Sequence, residues 1–322
     1  MSVSKPSHED RIIRNGMRAR SKSGAGREAP KSKPTNWLRP PFYGAAGRQR
    51  GNSSLTGKAL DWQARCQKNN LATTTTEPHE SRPPERPKLG VATPLANEEG
   101  SINLLLDGVL AHLQPQDRFF CVLDNVCKDG TKAIVTERAA RDPRVVLVWS
   151  PQNRCVVDAY FAGYRAAMND GCEWILEMDG GMNHRPDQIP RFIEKMSQGY
   201  DFVGGSRYLP SASHKSPLNR VLVSKGGSVL AKLVLGAKMT DMTSGFECFN
   251  RKTLGRVLEK GVQSRANFFQ TEIRWMMHEY RWAEVPINYE NTNFRIGRSS
   301  IREAFRLLWQ MRRAEKQKRK MA

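Results

Sequence analysis

The feature that most constrains the fold of this chain is a regular alternation of short apolar runs and longer amphipathic segments, which begins at Leu89. The apolar runs predict five strands, at Leu89–Ala92, Phe119–Leu123, Val145–Trp149, Trp174–Met178 and Asp201–Gly204. The intervening segments carry apolar residues at helical spacing and predict helices at Glu98–Leu113, Thr131–Arg141, Val156–Met168 and Ile189–Gln198. Strands and helices that alternate in this way form a mainly parallel sheet with helices on both faces, so the predicted fold class is α/β.

Polar residues follow four of these strands at the points where the strands end. The clusters are Thr93-Pro94, Asp124-Asn125, Asp179-Gly180-Gly181 and Gly205-Ser206-Arg207. Because ligands of open α/β sheets bind outside the carboxyl ends of the strands, four polar clusters at one edge predict a site for a phosphorylated or nucleotide ligand. The sequence contains neither G-x-G-x-x-G nor G-x-x-x-x-G-K-[ST], so neither a dinucleotide-binding fold nor a P-loop is supported.

Positive charge is concentrated toward the N-terminus of this 322-residue chain, whose formal net charge is +20. Residues 1–88 contain 18 Lys and Arg against 7 Asp and Glu, are rich in Ser, Gly, Pro and Thr, and lack a periodic apolar face. Such a segment buries too little apolar surface to offset its conformational entropy, so it is predicted to be a disordered basic tail. Two interpretations stay open: a solvated extension, or an electrostatic tether to an anionic membrane or to nucleic acid.

The C-terminal residues 301–322 predict a basic amphipathic helix. From Arg302 onward this segment has eight Lys and Arg against two Glu, and Ile301, Phe305, Leu308 and Trp309 recur at helical spacing. Such a helix either packs on the domain with a solvated basic end or lies on an anionic lipid surface. The domain prediction is therefore a tail over 1–88, an α/β domain over 89–300 and this helix.

Several other classes of protein are excluded by absent patterns. No run of eighteen uncharged apolar residues occurs, so no membrane span is expected, and no apolar core follows the N-terminal charges as in a secretory signal. The six cysteines include no C-x-x-C pair, which argues against a zinc ribbon or a disulfide scaffold. We therefore expect a cytoplasmic protein in a reducing compartment, peripheral at the membrane if the basic ends bind lipid.

Five polar motifs follow one another between Leu89 and Ser300. They are Pro94-Leu-Ala-Asn-Glu-Glu99, Asp124-Asn-Val-Cys-Lys-Asp-Gly-Thr131, Met178-Asp-Gly-Gly-Met-Asn-His-Arg-Pro186, Gly204-Gly-Ser-Arg-Tyr208 and Asp241-Met-Thr-Ser-Gly-Phe246. In this order they resemble the P-x-x-N-E-E, D-D-x-S-x-D-G-T, M-D-A-D-x-x-H-x-P, G-S-R-Y and D-x-T-S-G-F motifs of family-two glycosyltransferases, which have the Rossmann-like GT-A fold. The last two motifs are typical of the polyprenol (dolichol) phosphate mannosyltransferase branch.

The resemblance implies inverting transfer of a hexose from a nucleotide-sugar donor to a polyprenol phosphate acceptor. Because a phosphate oxygen is already ionised, such a transfer depends on positioning and charge neutralisation rather than on a strong base. The donor-binding positions implied are Pro94, Asn97, Glu98, Asp124, Asn125, Asp179, Arg295 and Arg298. The acceptor-phosphate positions implied are Arg207, Arg220 and Ser224, and the catalytic ones are Asp179 and Arg207. Independently of the resemblance, arginine guanidinium groups bind phosphate and diphosphate oxygens well, because they can donate two parallel hydrogen bonds.

Two positions depart from the family pattern. Asn125 replaces the second carboxylate of the D-D pair, and Gly181 replaces the second carboxylate of D-x-D. The family's Mg²⁺ or Mn²⁺ is then left with Asp179 and, as a further ligand, Asn183, which is compatible with an ion held by one carboxylate, donor phosphates and water. Three hypotheses follow: weaker metal binding, neutralisation of the diphosphate by Arg207, Arg295 and Arg298, or an inactive relative that keeps the fold.

Two alternative functions stay open beside the main one. The charge of the chain fits a glycosyltransferase that acts on another acceptor, such as a modified base in DNA. The missing carboxylates fit a non-catalytic binding module.

Other residues favour packing over chemistry. His184 is predicted to be a hydrogen-bonded loop residue, and the stripe Phe269, Ile273, Met276 and Tyr280 is predicted to pack on the sheet. Glu272 either orients an acceptor or an arginine, or pairs within the fold. Trp282–Tyr289 predicts an edge strand, where Pro286 is tolerated.

Overall fold

Nine strands and eight α-helices make up the part of the chain that the structure, a computed structural model, describes, namely residues 86–290 and 297–321. The strands are β1 (Leu89–Pro94), β2 (Arg118–Leu123), β3 (Val145–Trp149), β4 (Trp174–Glu177), β5 (Phe202–Ser206), β6 (Ser213–Lys215), β7 (Glu247–Asn250), β8 (Trp282–Pro286) and β9 (Asn288–Glu290). The helices are α1 (Ile102–Leu110), α2 (Thr131–Arg141), α3 (Val156–Asn169), α4 (Ile189–Ser197), α5 (Leu218–Leu235), α6 (Arg251–Lys260), α7 (Phe269–Met276) and α8 (Arg298–Met321). Residues 1–85 of the predicted tail, and Arg295, lie outside the described residues.

Seven of the strands form one mixed, mostly parallel sheet in the order β3-β2-β1-β4-β7-β5-β8. Strand β7 runs antiparallel to both of its neighbours, β4 and β5, whereas the other strand pairs are parallel. The predicted mainly parallel α/β sheet is confirmed. The sequence analysis missed β7, because this four-residue strand begins with Glu247 and carries no apolar run long enough to be distinguished from a loop.

Successive residues of the central strands pack into two separate hydrophobic cores, one on each face of the sheet. Val91 and Phe119 point to the face covered by α1, α2 and α4, whereas Ala92 and Phe120 point to the face covered by α3, α5, α6 and α7. Burial of each large apolar side chain contributes about 1.5–3 kcal/mol, so the two layers hold the sheet from both sides. Helices on both faces, as predicted, are confirmed.

The predicted start of the first helix is wrong by four residues. Helix α1 begins at Ile102 after Ser101, and Glu98 lies in the preceding turn, where its carbonyl oxygen accepts the backbone N–H groups of Ser101 and Ile102. Asn97, the residue before Glu98, has a left-handed backbone angle φ of +60°, so the helix cannot extend toward the N-terminus through this residue. Glu98 therefore projects from a loop rather than from a helix.

The C-terminal part of the sheet also differs from the prediction. The predicted strand over Trp282–Tyr289 is divided at Ile287 into β8, which lies at the sheet edge, and β9, which pairs with β6 in a separate two-stranded sheet. This division brings Tyr289 beside β6 rather than into the main sheet. Phe269 and Ile273 are buried against the sheet as predicted.

Helices α5 and α8 pack against each other at the periphery of one sheet face. Leu307 and Leu308 of α8 are buried, but Phe305 and Trp309 on the same helix are 48% and 55% exposed.

Among residues 86–290 and 297–321, no helix combines the length and the apolar composition that crossing a bilayer requires.

Candidate functional site

The sheet has its topological switch point at β1. The chain passes from β1 to β2 on one side, whereas β4 pairs with β1 on the other side. Loops that diverge from the carboxyl ends of such neighbouring strands leave a crevice between them, where α/β proteins bind ligands. We call the loops after β1, β2 and β4 (residues 95–101, 124–130 and 178–185) the switch-point edge.

Asn97 cross-links two of these loops. Its Oδ1 accepts the backbone N–H of Lys128 at 2.8 Å, and its Nδ2 donates to the carbonyl oxygen of Val126 at 3.2 Å. Asp124 shapes the same loop by accepting the Val126 N–H at 2.9 Å, and the exposed Asn125 donates to the carbonyl oxygen of Pro151 at 2.9 Å. Pro94 is the last residue of β1. The predicted positions Pro94, Asn97, Asp124 and Asn125 therefore lie at one edge.

Glu99 and Asp129 join the loops after β1 and β2 more tightly. Asp129 accepts the Glu99 N–H at 3.0 Å, and Glu99 accepts the Gly130 N–H at 3.1 Å. Thr131 completes the junction, since its hydroxyl oxygen accepts the Glu98 N–H at 2.8 Å. The Asp129-Gly130-Thr131 end of the second motif thus fixes the two loops to each other. The carboxylate of Glu98 makes none of these contacts.

Asp179 is the second residue after the end of β4, and its side chain is 30% exposed. The hydroxyl of Tyr160, on α3, donates to its Oδ1 at 2.6 Å. Burial first, and then the charge of Asp179, raise the pKa of Tyr160, so the phenol remains a neutral donor. Asp179 is thereby oriented toward the edge while part of its carboxylate faces solvent.

His184 fixes the backbone of the same loop. Its Nδ1 accepts the Asp179 N–H at 3.0 Å, and its ring stacks on Phe246 with centroids 4.8 Å apart. Burial lowers the pKa of His184, so the ring is neutral. The prediction that His184 is a hydrogen-bonded loop residue is confirmed.

Arg207 is locked in place by the D-x-T-S-G-F motif. Its Nε and Nη2 donate to the two carboxylate oxygens of Asp241 at 2.7 and 2.8 Å, and Nη2 also donates to the Thr243 hydroxyl at 2.7 Å. The side chains of Arg207 and Asp241 are 5% and 0% exposed. Burial opposes ionisation of Asp241, but the Arg207 charge prevails and holds the pKa of that carboxyl well below its usual range.

The three predicted acceptor-phosphate residues come together around this pair. Ser224 lies 3.0 Å from the Thr243 hydroxyl that Arg207 contacts, and Arg220 donates to the Tyr289 hydroxyl at 3.0 Å. The guanidinium of Arg207 stands 5.3 Å from the centre of the same tyrosine ring. We call the set Arg207, Arg220, Ser224, His214 and Tyr289 the arginine cluster.

The sequence analysis missed His214 and Tyr289. His214, on β6, packs its ring 5.5 Å from that of Tyr289, and within the described part of the chain neither of its solvent-shielded ring nitrogens has a hydrogen-bond partner. Burial, and then the charge of Arg207, lower the pKa of His214 to about 4. A neutral imidazole beside two guanidiniums still offers one N–H donor. No sequence signal marked it, because β6 is a three-residue strand between two motifs.

Two predicted donor arginines are not placed at the switch-point edge by described contacts. Arg298 begins α8 with an exposed side chain that makes no hydrogen bond or ion pair to the residues described, and Arg295 lies outside them. Glu272 serves the fold, since it accepts the backbone N–H groups of Gln263 and Ser264 at 3.0 and 2.8 Å.

Buried charged side chains of β4, β7 and α7 lie near the backbone of the arginine cluster. Glu177 on β4 stands opposite Glu247 on β7, and Arg274 donates to Glu247 at 2.5 Å and to the carbonyl oxygens of Asp241 and Gly205. Burial, and then the charge of Glu247, raise the pKa of Glu177, which therefore holds a proton in this pair. Sequence reasoning missed this network, because its members are separated widely along the chain.

The fold and the polar strand ends define a GT-A-type glycosyltransferase. Residues 91–258 match the family described as "Glycosyl transferase family 2", and the chain belongs to that family. It is 29% identical over 235 residues to the polyprenol monophosphomannose synthase of Mycolicibacterium smegmatis, covering 71% of this chain and 87% of that one. It is 31% identical over 199 residues to the undecaprenyl-phosphate mannosyltransferase of Micrococcus luteus, covering 61% and 81%. The resemblance to polyprenol phosphate mannosyltransferases is thereby confirmed.

A solved structure of similar fold is glucosyl-3-phosphoglycerate synthase from Mycobacterium tuberculosis, in complex with Mn²⁺, uridine diphosphate and phosphoglyceric acid. The TM-score is 0.54 at 15% sequence identity, and the match covers 70% of this chain and 78% of that one. At this identity the likeness establishes the GT-A fold. In this chain, the described residues contain no group of three His, Cys, Asp or Glu side chains arranged to hold a metal ion.

Proposed function

We propose that this glycosyltransferase transfers a hexose, with inversion, from a nucleotide sugar to a polyprenol phosphate at a membrane surface. The observation that carries the proposal is helix α5, which faces the arginine cluster on one side and exposes a leucine stripe on the other. The names of the two relatives support a polyprenol phosphate acceptor and give no support to a nucleic-acid acceptor.

The inner face of α5 is suited to the phosphate of the acceptor. Arg220 and Ser224 are one helical turn apart and lie on the same side of the helix as the buried Ser228, Ala231 and Leu235. Arg220, Arg207 and the N–H of neutral His214 provide cationic and hydrogen-bonding groups for phosphate oxygens. Asp241 neutralises part of the Arg207 charge and fixes its direction, so a phosphate meets a preorganised site.

The outer face of α5 is suited to lipid. Four of its five exposed large apolar residues, all but Val223, are Leu218, Leu222, Val229 and Leu233, with exposures of 73%, 63%, 47% and 76%. Their spacing of four, seven and four residues places them in one stripe opposite Arg220 and Ser224. Helix α8, packed beside α5, adds the exposed Phe305 and Trp309 and a basic end. An apolar stripe flanked by positive charge fits the headgroup region of an anionic bilayer.

We assign the switch-point edge to the donor. Pro94, Asn97, Asp124 and Asn125 would contact the nucleoside, and Asp179 with Asn183 would hold a divalent cation through the donor diphosphate. When bound, such an ion neutralises the diphosphate charge that develops on the leaving group. Arg295 and Arg298 are assigned to the same diphosphate.

In the transfer step an acceptor phosphate oxygen attacks the anomeric carbon as the bond from that carbon to the donor diphosphate oxygen breaks. A single displacement inverts the anomeric centre and releases the nucleoside diphosphate. The nucleophile is already ionised, so no side chain has to remove a proton. Arg207, Arg220 and His214 hold the acceptor oxygen in line, which lowers the barrier by positioning.

The proposal is tested by incubating the full chain with a panel of GDP- and UDP-hexoses, Mn²⁺ or Mg²⁺, and a short-chain polyprenyl phosphate. Mass spectrometry should detect a polyprenyl phosphate hexose, and NMR of its anomeric proton should show inversion. Unphosphorylated polyprenol and a hydroxymethylated DNA oligonucleotide should accept no sugar. Transfer to the oligonucleotide, or none to the polyprenyl phosphate, contradicts the proposal.

A further inference from the structure

The space that the second D-x-D carboxylate would need is occupied by another carboxylate. A Cβ on residue 181 would lie 2.9 and 3.1 Å from the Oε1 and Oε2 atoms of Glu98. A side chain at residue 181 would therefore meet the Glu98 carboxylate directly. The loop after β1 therefore presents an acidic group at the place where the loop after β4 lacks one.

The backbone of residue 181 by itself does not decide between glycine and aspartate. Gly181 has a φ of +65°, in the left-handed region that side chains rarely adopt. Asp tolerates this region better than most residues, so backbone geometry alone does not exclude an aspartate. An aspartate would, however, lie against the Glu98 carboxylate, so the end of the Glu98 side chain would have to shift and the two like charges would repel each other.

Among the acidic and amide groups of its motif, Glu98 is the one directed to the edge. Asn97 and Glu99 are engaged in cross-linking the loops after β1 and β2. Glu98 accepts one hydrogen bond, from Ser101 Oγ to its Oε2 at 2.8 Å, and its Oε1 has no hydrogen-bond donor within residues 86–290 and 297–321. That bond holds the side chain against Gly181 and leaves one oxygen for a ligand.

We propose that Glu98 replaces the missing D-x-D carboxylate and binds, with Asp179 and the donor diphosphate, the divalent cation of this enzyme. The proposal rests on the proposed function for the presence of the donor. Carboxylate and phosphate oxygens together match the ligand preference of Mg²⁺ and Mn²⁺, which keep several waters and take one or two protein carboxylates. Since the described residues hold no three-ligand group, we expect metal binding to require the nucleotide.

The test measures Mn²⁺ binding to the full chain by electron paramagnetic resonance, with saturating GDP or UDP and without acceptor. E98Q should weaken Mn²⁺ binding at least tenfold, while its far-UV circular dichroism and its urea unfolding midpoint stay close to those of wild type, which shows that the fold persists. E259Q, an exposed change on α6, is the control and should leave Mn²⁺ affinity unchanged. Wild-type Mn²⁺ affinity in E98Q would overturn the proposal.

Relocating the carboxylate distinguishes a ligand from a merely structural group. E98A should lose Mn²⁺ binding as E98Q does, and the double variant E98A/G181D should recover it to within a few fold of wild type. G181D by itself should not bind Mn²⁺ more tightly, because Glu98 occupies the space. Tighter binding in G181D combined with no loss in E98A would refute the replacement.

Failure of this inference and failure of the proposed function give different results. If nucleotide binds but Mn²⁺ adds nothing in wild type, the metal role of Glu98 is excluded, and transfer in the presence of EDTA then tests arginine neutralisation. If Mn²⁺ binding depends on Glu98 but no sugar reaches polyprenyl phosphate, the inference stands and the acceptor assignment fails.

Discussion

The switch-point edge and the arginine cluster differ in how completely their charged side chains are positioned before a ligand binds. In the cluster, Arg207 is held by a buried carboxylate, and Arg220 and Ser224 stand beside it through Tyr289 and Thr243. At the edge, Asn97, Glu99 and Asp129 join loops to one another, and the carboxylates that face the crevice are few. The cluster is therefore charged and preorganised before any ligand arrives, whereas the edge depends on its ligand to complete the site.

The largest expected effect is at the buried pair of the cluster. Arg207→Ala leaves Asp241 buried without its partner, which should destabilise the fold by about 3–5 kcal/mol in urea unfolding and abolish transfer. The double variant Arg207→Met with Asp241→Asn removes both charges and should regain most of the stability but no activity. Activity in the double variant would show that the cluster does not act on a ligand.

A smaller effect is expected at Arg220, which is half-buried and does not form the buried pair. Arg220→Ala should lower kcat/KM for polyprenyl phosphate about tenfold to a hundredfold, equivalent to about 1.4–2.8 kcal/mol of binding. The KM for the nucleotide sugar should not change, because the donor binds at the other region. Arg256→Ala, which removes an exposed arginine of α6, is the matched control. A rise in the KM for the nucleotide sugar would contradict the assignment of donor and acceptor to separate regions.

The outer stripe of α5 gives a test that leaves both regions intact. Leu222→Glu should reduce sedimentation with phosphatidylglycerol vesicles severalfold, because a leucine inserted in lipid contributes at most about 1.5–3 kcal/mol. Transfer to a detergent-soluble, short-chain acceptor should persist. Leu104→Glu, at a residue of α1 with the same 63% exposure, should bind vesicles as wild type does. Equal losses in both variants would mean that the stripe is not the lipid contact.

Most of the strands and helices were predictable from the sequence, but fewer of the contacts between side chains were. Thr131–Arg141 and Val145–Trp149 were predicted at their observed bounds, because period and composition agree there. The antiparallel β7 and the short β6 lacked such agreement. The placements of His214 beside Tyr289 and of Glu98 beside Gly181 were not predictable, since each joins residues far apart in the chain through a turn without its own signal. Sequence identified Gly181 as the loss of a carboxylate, and in the folded loops the Glu98 carboxylate lies beside it.

The effect expected at Glu177, on β4, concerns stability alone and depends on pH. Burial raises its folded pKa above the ordinary 4.5, so the native state holds a proton that the unfolded chain releases. Its contribution to stability is therefore complete below pH 4.5 and decreases as the pH rises toward the raised value, by at most about 1.4 kcal/mol per pH unit. Glu177→Gln keeps the shape without the titration. We expect urea unfolding to show similar stability at pH 4.5, higher stability than wild type at pH 8, and a flatter profile between them. A steeper loss of stability at alkaline pH in the glutamine variant would mean that Glu177 is ionised and that its charge stabilises the folded state.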